Sequence, residues 1–446
     1  MPILDLAQTM EPHWLWESYP FVSQSYYRDD EFLEFGYHWR GSGFSFVSSP
    51  GWKTLGGGLI GSYRLSDFAG IANVVDAPPS SPAGAPDFKQ LLLNLPRRDI
   101  LLIRTGHSDS ISNRRPEYWL RAPVFLPECA AAIAEAGYRH VAIDFSCDDI
   151  PAFRPNGEGG YRNPNGGFRS EIHARGILLT ENCLNLAALD QPEIFFAALP
   201  YSIPNSATAP CRPIALTRWP SEAPRLIDVS TPIFNHWRWK FDVRQGRSLK
   251  NGDGADEIHF LITGHGFTHC DAPCHMRKAA ATIQQLPNEG LDRFIREAVI
   301  VDFSDLQLPF PITRELLARR LGDRYRPGDI IVLRSDLTNK LGYESTEWHL
   351  KAPNLEREAA EFIAELEPSA VSLDFPQDFI AREMPTRHVC NHEFVAHHAI
   401  FAAGIPFVED LKNLGDVRVE RPMLLAVPMR TSCSDGAPMR AVMVEW

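Results

Sequence analysis

Apolar positions along this chain fall into short continuous runs separated by longer periodic stretches. Residues 298–303 (Ala-Val-Ile-Val-Asp-Phe), 329–334 (Asp-Ile-Ile-Val-Leu-Arg) and 370–375 (Ala-Val-Ser-Leu-Asp-Phe) are partly β-branched and nearly unbroken, the pattern of strands covered on both faces. Residues 313–320 and 354–366 have helical periodicity instead, with Leu355, Ala359, Phe362, Ile363 and Leu366 on one predicted face. Residues 391–404 read as a further helix, started by Asn391 as N-cap and stopped by Gly404, with a returning strand at 405–409. Strand and helix alternate, so the expected class is α/β.

The pattern repeats. Asp99-Ile-Leu-Leu-Ile-Arg104 recurs as Asp329-Ile-Ile-Val-Leu-Arg334, Glu117-Tyr-Trp-Leu-Arg-Ala-Pro123 as Glu347-Trp-His-Leu-Lys-Ala-Pro353, and Val141-Ala-Ile-Asp-Phe145 as Val371-Ser-Leu-Asp-Phe375, each 230 residues on. Gly176 to Glu181 matches Gly404 to Glu409, and Ala198-Leu-Pro200 matches Ala426-Val-Pro428, 228 residues on. Order is kept throughout, which predicts a tandem duplication: one copy over residues 1–219, a proline-rich linker at 220–225, and a second copy over 226–446.

Composition narrows the function. At 446 residues with 44% apolar and 22% charged positions, the chain has the make-up of a soluble protein of more than one domain. A net charge of −12 argues against nucleic acid or an anionic membrane as partner and favours a small-molecule substrate. The first residues lack a basic, apolar leader, and no stretch approaches the roughly 18 apolar residues of a membrane span, so a cytoplasmic protein is expected. Eight cysteines without a paired framework fit a reducing compartment.

Chemistry concentrates in residues 265–275, His-Gly-Phe-Thr-His-Cys-Asp-Ala-Pro-Cys-His, which put three imidazoles and a carboxylate in eleven positions. In extended chain, residues two apart share a side, so His269 and Asp271 can converge on one ion while Cys270 faces away. His265 could join from the preceding turn. Imidazole with carboxylate suits Zn²⁺, and also Mn²⁺ or Fe²⁺. Beyond Pro273, His275 is left for proton transfer. Further ligands are expected from His397 or His398 on the predicted helix and from Glu409 at the strand end. A zincin reading of His392-Glu393 fails, because the next histidine is five residues on rather than four. Through the shared Asp-Ala-Pro, the first copy carries Gly70, Val74 and Ser80 where the second has His265, His269 and His275. With Arg169 at the place of His397, that copy is expected to be catalytically silent.

The motif His265-x-x-Thr-His269-x-Asp271-Ala-Pro-x-His275, with His397-His398 twelve residues before Glu409 and the terminal Asp435-Gly-Ala-Pro-Met-Arg440, resembles the cyclase family of kynurenine formamidases and isatin hydrolases. The resemblance covers residues 226–446 and, in decayed form, the first half. It implies two copies of the family's swivelling β/β/α domain, the pair standing in for the family's homodimer within one chain. The protein is accordingly expected as a monomer built as a pseudo-dimer, or as a homodimer. It further implies that His265, His269 and Asp271 hold one divalent ion, with Asp271 and Glu409 bridging to a second ion held by His397, or that a single Mn²⁺ is bound. Zn²⁺ is the first expectation, and His275 matches the family's proton carrier. A tryptophan over the substrate is also implied, for which Trp237 and Trp239 are candidates, and Phe267, where most members have glycine, is expected to restrict the pocket.

The implied activity is hydrolysis of an amide, formamide or cyclic imide or lactam C–N bond. The alternatives are ring closure or dehydration in secondary metabolism at the same metal, and a metal-binding scaffold without turnover. For the first copy, one expectation is a stabilising partner. The other is that its aromatic segment, Trp14, Trp16, Tyr19, Phe21, Tyr26 and Tyr27, shapes the active pocket.

Overall fold

The computed structural model describes residues 2–16, 18–23, 34–77, 81–150, 160–219, 224–432 and 434–446. The chain forms two compact units. Unit 1 comprises Met1–Tyr19, Trp39–Ala223 and Val243–Phe260, and unit 2 comprises Pro20–His38, Pro224–Asp242 and Leu261–Trp446. A division at residues 219/226 therefore describes the main bodies only, because each unit also takes up a segment from the other half of the sequence.

Specific contacts explain both exchanges. Within unit 2, the buried Tyr37 hydroxyl donates to Gly436 O (2.8 Å) and lies 3.0 Å from Ser434 Oγ. Within unit 1, Glu257 receives Ser42 Oγ (2.6 Å) and Arg40 Nη2 (2.9 Å), and Asp256 N donates to Trp52 O (2.9 Å).

Unit 2 is built on strands β1 (Arg225–Asp228), β2 (His269–Asp271), β3 (Ile295–Asp302), β4 (Ile330–Arg334), β5 (Val371–Leu373), β6 (Phe407–Glu409), β7 (Met423–Pro428) and β8 (Gly436–Glu445). They run in the order β1-β8-β2-β6-β5-β4-β3-β7, and β7 pairs again with β8, so the sheet curls on itself. The β3-β4-β5-β6 run is parallel and the remaining pairings are antiparallel. Ile330 to Leu333 are wholly buried, which is why β4 reads as an unbroken apolar run. Cys270, Ile330, Val332, Val408, Leu424 and Met443 meet in the core.

Helices in unit 2 depart from the expected bounds in informative ways. Thr313 caps the helix Arg314–Leu321 through its side chain, as its position suggests. The next helix covers only Arg357–Leu366, because Asn354–Leu355 is a short strand pairing with Pro311–Ile312; Leu355 is buried from that strand. Asn391 does not cap the helix containing His397. That helix is Val395–Ala402, preceded by a 3₁₀ turn over Asn391–Glu393, and its N-terminal amides at Ala396 and His397 donate to the Asp378 carboxylate (2.6 and 3.4 Å).

Unit 1 has a nine-stranded sheet in the order Ile3–Asp5, Ile214–Leu216, Glu193–Ala197, Ala69–Asp76, Ile100–Arg104, His140–Ile143, Leu178–Glu181, Phe46–Ser48, Thr208–Pro210. This order matches that of unit 2 strand for strand, with β3 at the place of Ala69–Asp76 and β2 at the place of Phe46–Ser48. The register corrects the expected alignment of the metal segment. Ala69–Asp76 pairs in parallel with Ile100–Arg104, as β3 does with β4, whereas Phe46 pairs with Glu181 as His269 pairs with Glu409. Phe46 and Ser48, not Val74 and Asp76, thus stand where His269 and Asp271 do. The Asp-Ala-Pro coincidence misleads: Asp76 points outward and pairs with Arg104 (2.6 Å), and Ser80 lies outside the described residues. No described helix is long and apolar enough to cross a membrane.

Candidate metal centre

Strand β2 does most of the positioning. Its alternation turns His269 and Asp271 to one side and sends Cys270 into the apolar core, with Sγ 3.6 Å from Ala437 O. Registry then supplies neighbours: His269 lies opposite Glu409 on β6, and Asp271 lies opposite Gly436, the residue after Asp435. His265 arrives from the turn before β2, where Phe267 adopts a left-handed φ of 60°. His275 ends the 3₁₀ turn Pro273–His275, and His397 comes from the helix Val395–Ala402. All of these side chains are buried or nearly so.

Asp271 is the hub. Its Oδ1 is 2.7 Å from His265 Nδ1 and 3.2 Å from His269 Nε2. Its Oδ2 is 3.6 Å from His397 Nε2 and 3.9 Å from His275 Nε2. Glu409 lies 3.2 Å from His397 Nε2 and 3.8 Å from His269 Nε2. Two three-residue groups have donor atoms within 4.8 Å of one another, His265 with Asp271 and His275, and His269 with Asp271 and Glu409. His275 therefore stands close enough to be a ligand as well as a proton carrier. His398 is turned away, with Nε2 2.8 Å from Asn391 Oδ1, and His392 is exposed.

Second contacts orient the imidazoles. The outer Nδ1 faces Phe267 O in His269 (2.8 Å), Asp378 in His397 (2.5 Å) and Asp435 in His275 (2.9 Å). Those partners accept, so each Nδ1 is assigned the proton and each neutral Nε2 turns a lone pair inward toward carboxylate oxygens. Lone pair against lone pair is repulsive, and either extra protons or a cation between them removes the conflict. Without a cation, protons answer: burial pulls His269 down, but Asp271, Glu409 and Asp410 outweigh it and carry it up to about 9. His265 and His397 are driven well above the ordinary range by their carboxylates against the same burial. Asp435, which burial would raise, is held down at about 2 by His265 and His275. The donor set fits a divalent cation held by nitrogen and oxygen.

Sequence reasoning named the donors and missed what holds them. Asp435 grips both His265 Nε2 (2.8 Å) and His275 Nδ1 through one oxygen, and those two rings stack at 3.7 Å. It lay in a motif already noted but was given no role. Asp378 and Gln377, whose Nε2 donates to Glu409 (2.6 Å), carried no local signal. Only the repeat hints at Asp378, since Asp148 precedes it by 230 residues and bonds Arg169 (2.9 Å) as Asp378 bonds His397.

The cavity in front of this cluster is walled by Arg238, Trp239, Met276, Trp348, His349 and Met384. Arg238 lies over the Trp239 ring (4.2 Å) with Nη1 3.1 Å from His349. Burial, reinforced by Arg238, pushes the His349 imidazole down to about 2, so it is neutral. Trp239 is thus a wall residue. Trp237 is half-exposed, edge-on to His349, and Phe267 is buried among Phe234, His236 and Tyr343 rather than lining the cavity. Of the N-terminal aromatics, Trp14, Trp16 and Tyr19 belong to unit 1, Phe21 to unit 2, and Tyr26 and Tyr27 lie outside the described residues.

The family model described as "Putative cyclase" matches residues 209–377. Among curated proteins, a kynurenine formamidase of Bacillus mycoides (strain KBAB4) is 25% identical over 224 residues, spanning 48% of this chain and 95% of that protein. One of Salinibacter ruber is 25% identical over 224 residues, spanning 49% and 96%. Among solved structures, isatin hydrolase A from Labrenzia aggregata aligns at 18% identity and a TM-score of 0.42, covering 50% of this chain and 94% of its own. A protein titled a potential metal-dependent hydrolase with cyclase activity aligns at 21% and 0.39, covering 50% and 99%. This matched region of the chain belongs to the cyclase family.

Proposed function

We propose that unit 2 is a divalent-metal-dependent hydrolase that cleaves the C–N bond of a small amide, formamide, or cyclic imide or lactam. The observation that carries this reading is the convergence of His265, His269, His397 and Glu409 on the two oxygens of Asp271, with His275 beside them. The relatives named kynurenine formamidase support the bond class. His265, His269 and Asp271 would hold one ion, and Asp271, Glu409 and His397 a second. Such an ion acidifies a water toward a pKa of about 7 and polarises an amide carbonyl. His275 takes a proton at Nε2 and returns it to the departing nitrogen, its ring fixed through Nδ1 by Asp435. Trp239 and Trp348 exclude water from one side of the cavity, and Arg238 supplies positive charge at its wall.

We infer further that the two units descend from a tandem duplication and that unit 1 is catalytically silent. Support comes from the shared strand order and from Phe46, Ser48 and Arg169, which stand at the places of His269, Asp271 and His397.

Elemental analysis of the purified chain, followed by hydrolysis assays on N-formyl anilines, isatin-like imides and lactams, tests the reading. The expected outcome is a bound divalent metal and turnover of one class. His275→Ala is expected to lose about 10²- to 10⁴-fold in kcat with metal content retained. A metal-loaded chain that turns over none of the three classes, or an H275A variant at full rate, sinks the assignment.

A further inference from the structure

Unit 1 keeps a cavity where unit 2 has its metal centre, and its walls no longer resemble those of a catalyst. The space, about 280 Å³, is bordered by Arg169, Trp52, Lys53, Arg247, Leu15 and Ala255, all within unit 1. Charge bookkeeping shows which groups remain available. Asp148 is taken by Arg169 (2.9 Å) and by the Trp16 indole N–H (3.2 Å). Glu181 receives Cys147 N (2.7 Å) and lies 3.4 Å from Arg169. Glu257 is held by Arg40 and Ser42, and Asp149 receives Asn163 N (2.7 Å).

The cations are less fully used. Lys53 donates to Gly254 O (3.1 Å), one acceptor for an ammonium with three donors. Arg247 stands 3.8 Å from Glu257, which Arg40 already grips. Two buried N–H groups on the cavity residues, Arg169 Nε and Trp52 Nε1, have no hydrogen-bond partner among the described residues. Buried donors are almost always satisfied, so two at one cavity point to an acceptor that comes from outside the chain. Burial, with Arg169 adding to it, pulls the Lys53 amine down, which reports a positive field at this wall.

We propose that this cavity binds a small organic carboxylate, its anionic end held by Lys53 and Arg247 and its apolar body against Leu15, Trp52 and Ala255. A carboxylate presents two acceptor oxygens in one plane and one charge, matching paired N–H donors and a modest cationic excess. The apolar wall argues for an organic anion over inorganic phosphate. The site is independent of the metal reading, because none of its residues belongs to the metal cluster.

Calorimetric titration of the full chain with benzoate, and with inorganic phosphate in parallel, tests the proposal. Benzoate is expected to bind more tightly than phosphate. Lys53→Gln and Arg247→Gln should each weaken benzoate by about tenfold or more, as loss of a charge-assisted bond does, while melting temperature and any hydrolytic activity stay unchanged. Arg238→Gln, in the unit 2 cavity, should leave benzoate affinity intact. The proposal is overturned by absence of benzoate binding, by tighter binding of phosphate, by unchanged affinity in the Lys53 and Arg247 variants, or by loss of binding in R238Q.

Discussion

Single side chains at this centre divide into those that face the reaction and those that hold them. Asp378 shows the second kind: it accepts from His397 Nδ1 at 2.5 Å and from the amide of Ala396 at 2.6 Å, so one carboxylate fixes both the ring and the start of its helix. Such outer partners typically contribute tenfold to a hundredfold in metal affinity. Asp378→Asn is therefore expected to weaken metal binding by about that factor in a chelator competition; equal affinity would show that the tether is dispensable. Arg169 is the matching residue in unit 1, a buried guanidinium between Asp148 and Glu181. Replacing it with methionine leaves two buried carboxylates uncompensated, and loss of one partner from such a group costs about 3–5 kcal/mol. Urea unfolding of R169M would read this directly, and a loss under about 1 kcal/mol would contradict it.

At the level of elements, registry carries the chemistry. Strand β2 is only three residues long, yet it pairs on one side with β6 and on the other with β8, so Glu409 and Asp435 reach the same side chains from opposite edges. Close approach has a steric condition at Gly436, where an added Cβ would meet the His265 ring at 2.3 Å and Cys270 O at 2.8 Å. Gly436→Ala should push His265 aside, lowering metal content and destabilising the chain by about 1–3 kcal/mol, the usual cost of overpacking. Normal metal content in G436A would refute the close-fit argument. The Asp-Ala-Pro match failed at this same level. A three-residue identity in a linear alignment carries no information on pairing partners, whereas the ladder to Glu181 identifies Phe46–Ser48 without ambiguity.

For the whole molecule, the exchange of segments matters most. Unit 2 includes Pro20–His38, and Tyr37 from that stretch bonds the backbone beside Asp435, so a fragment starting at residue 220 would lack part of the unit that carries the centre. Acid stability is also a global property. His140 is buried, flanked by Asp67 O (3.0 Å) and Thr180 Oγ1 (2.7 Å), and burial pulls its pKa from 6.5 to about 4. The unfolded chain binds this proton first as pH falls, so the stabilisation is complete above pH 6.5 and is lost progressively toward about pH 4. Between pH 7 and 5 this one group should cost about 2 kcal/mol. His140→Gln is expected to reduce the pH dependence of urea unfolding by that amount; an unchanged slope would show that the imidazole titrates normally.

Local pattern sufficed for the α/β class, for the core strands at 295–302, 330–334 and 371–373, and for the donors His265, His269, Asp271, His397 and Glu409, because alternation and ligand spacing are properties of a few consecutive residues. It did not reach Asp435, Asp378 or Gln377, nor the true counterpart of the metal strand, nor the membership of Pro20–His38 and Val243–Phe260. Each of these depends on which distant strands share hydrogen bonds. That choice is made when non-local backbone donors and acceptors must be satisfied together with side-chain burial, and no short window of sequence contains both partners.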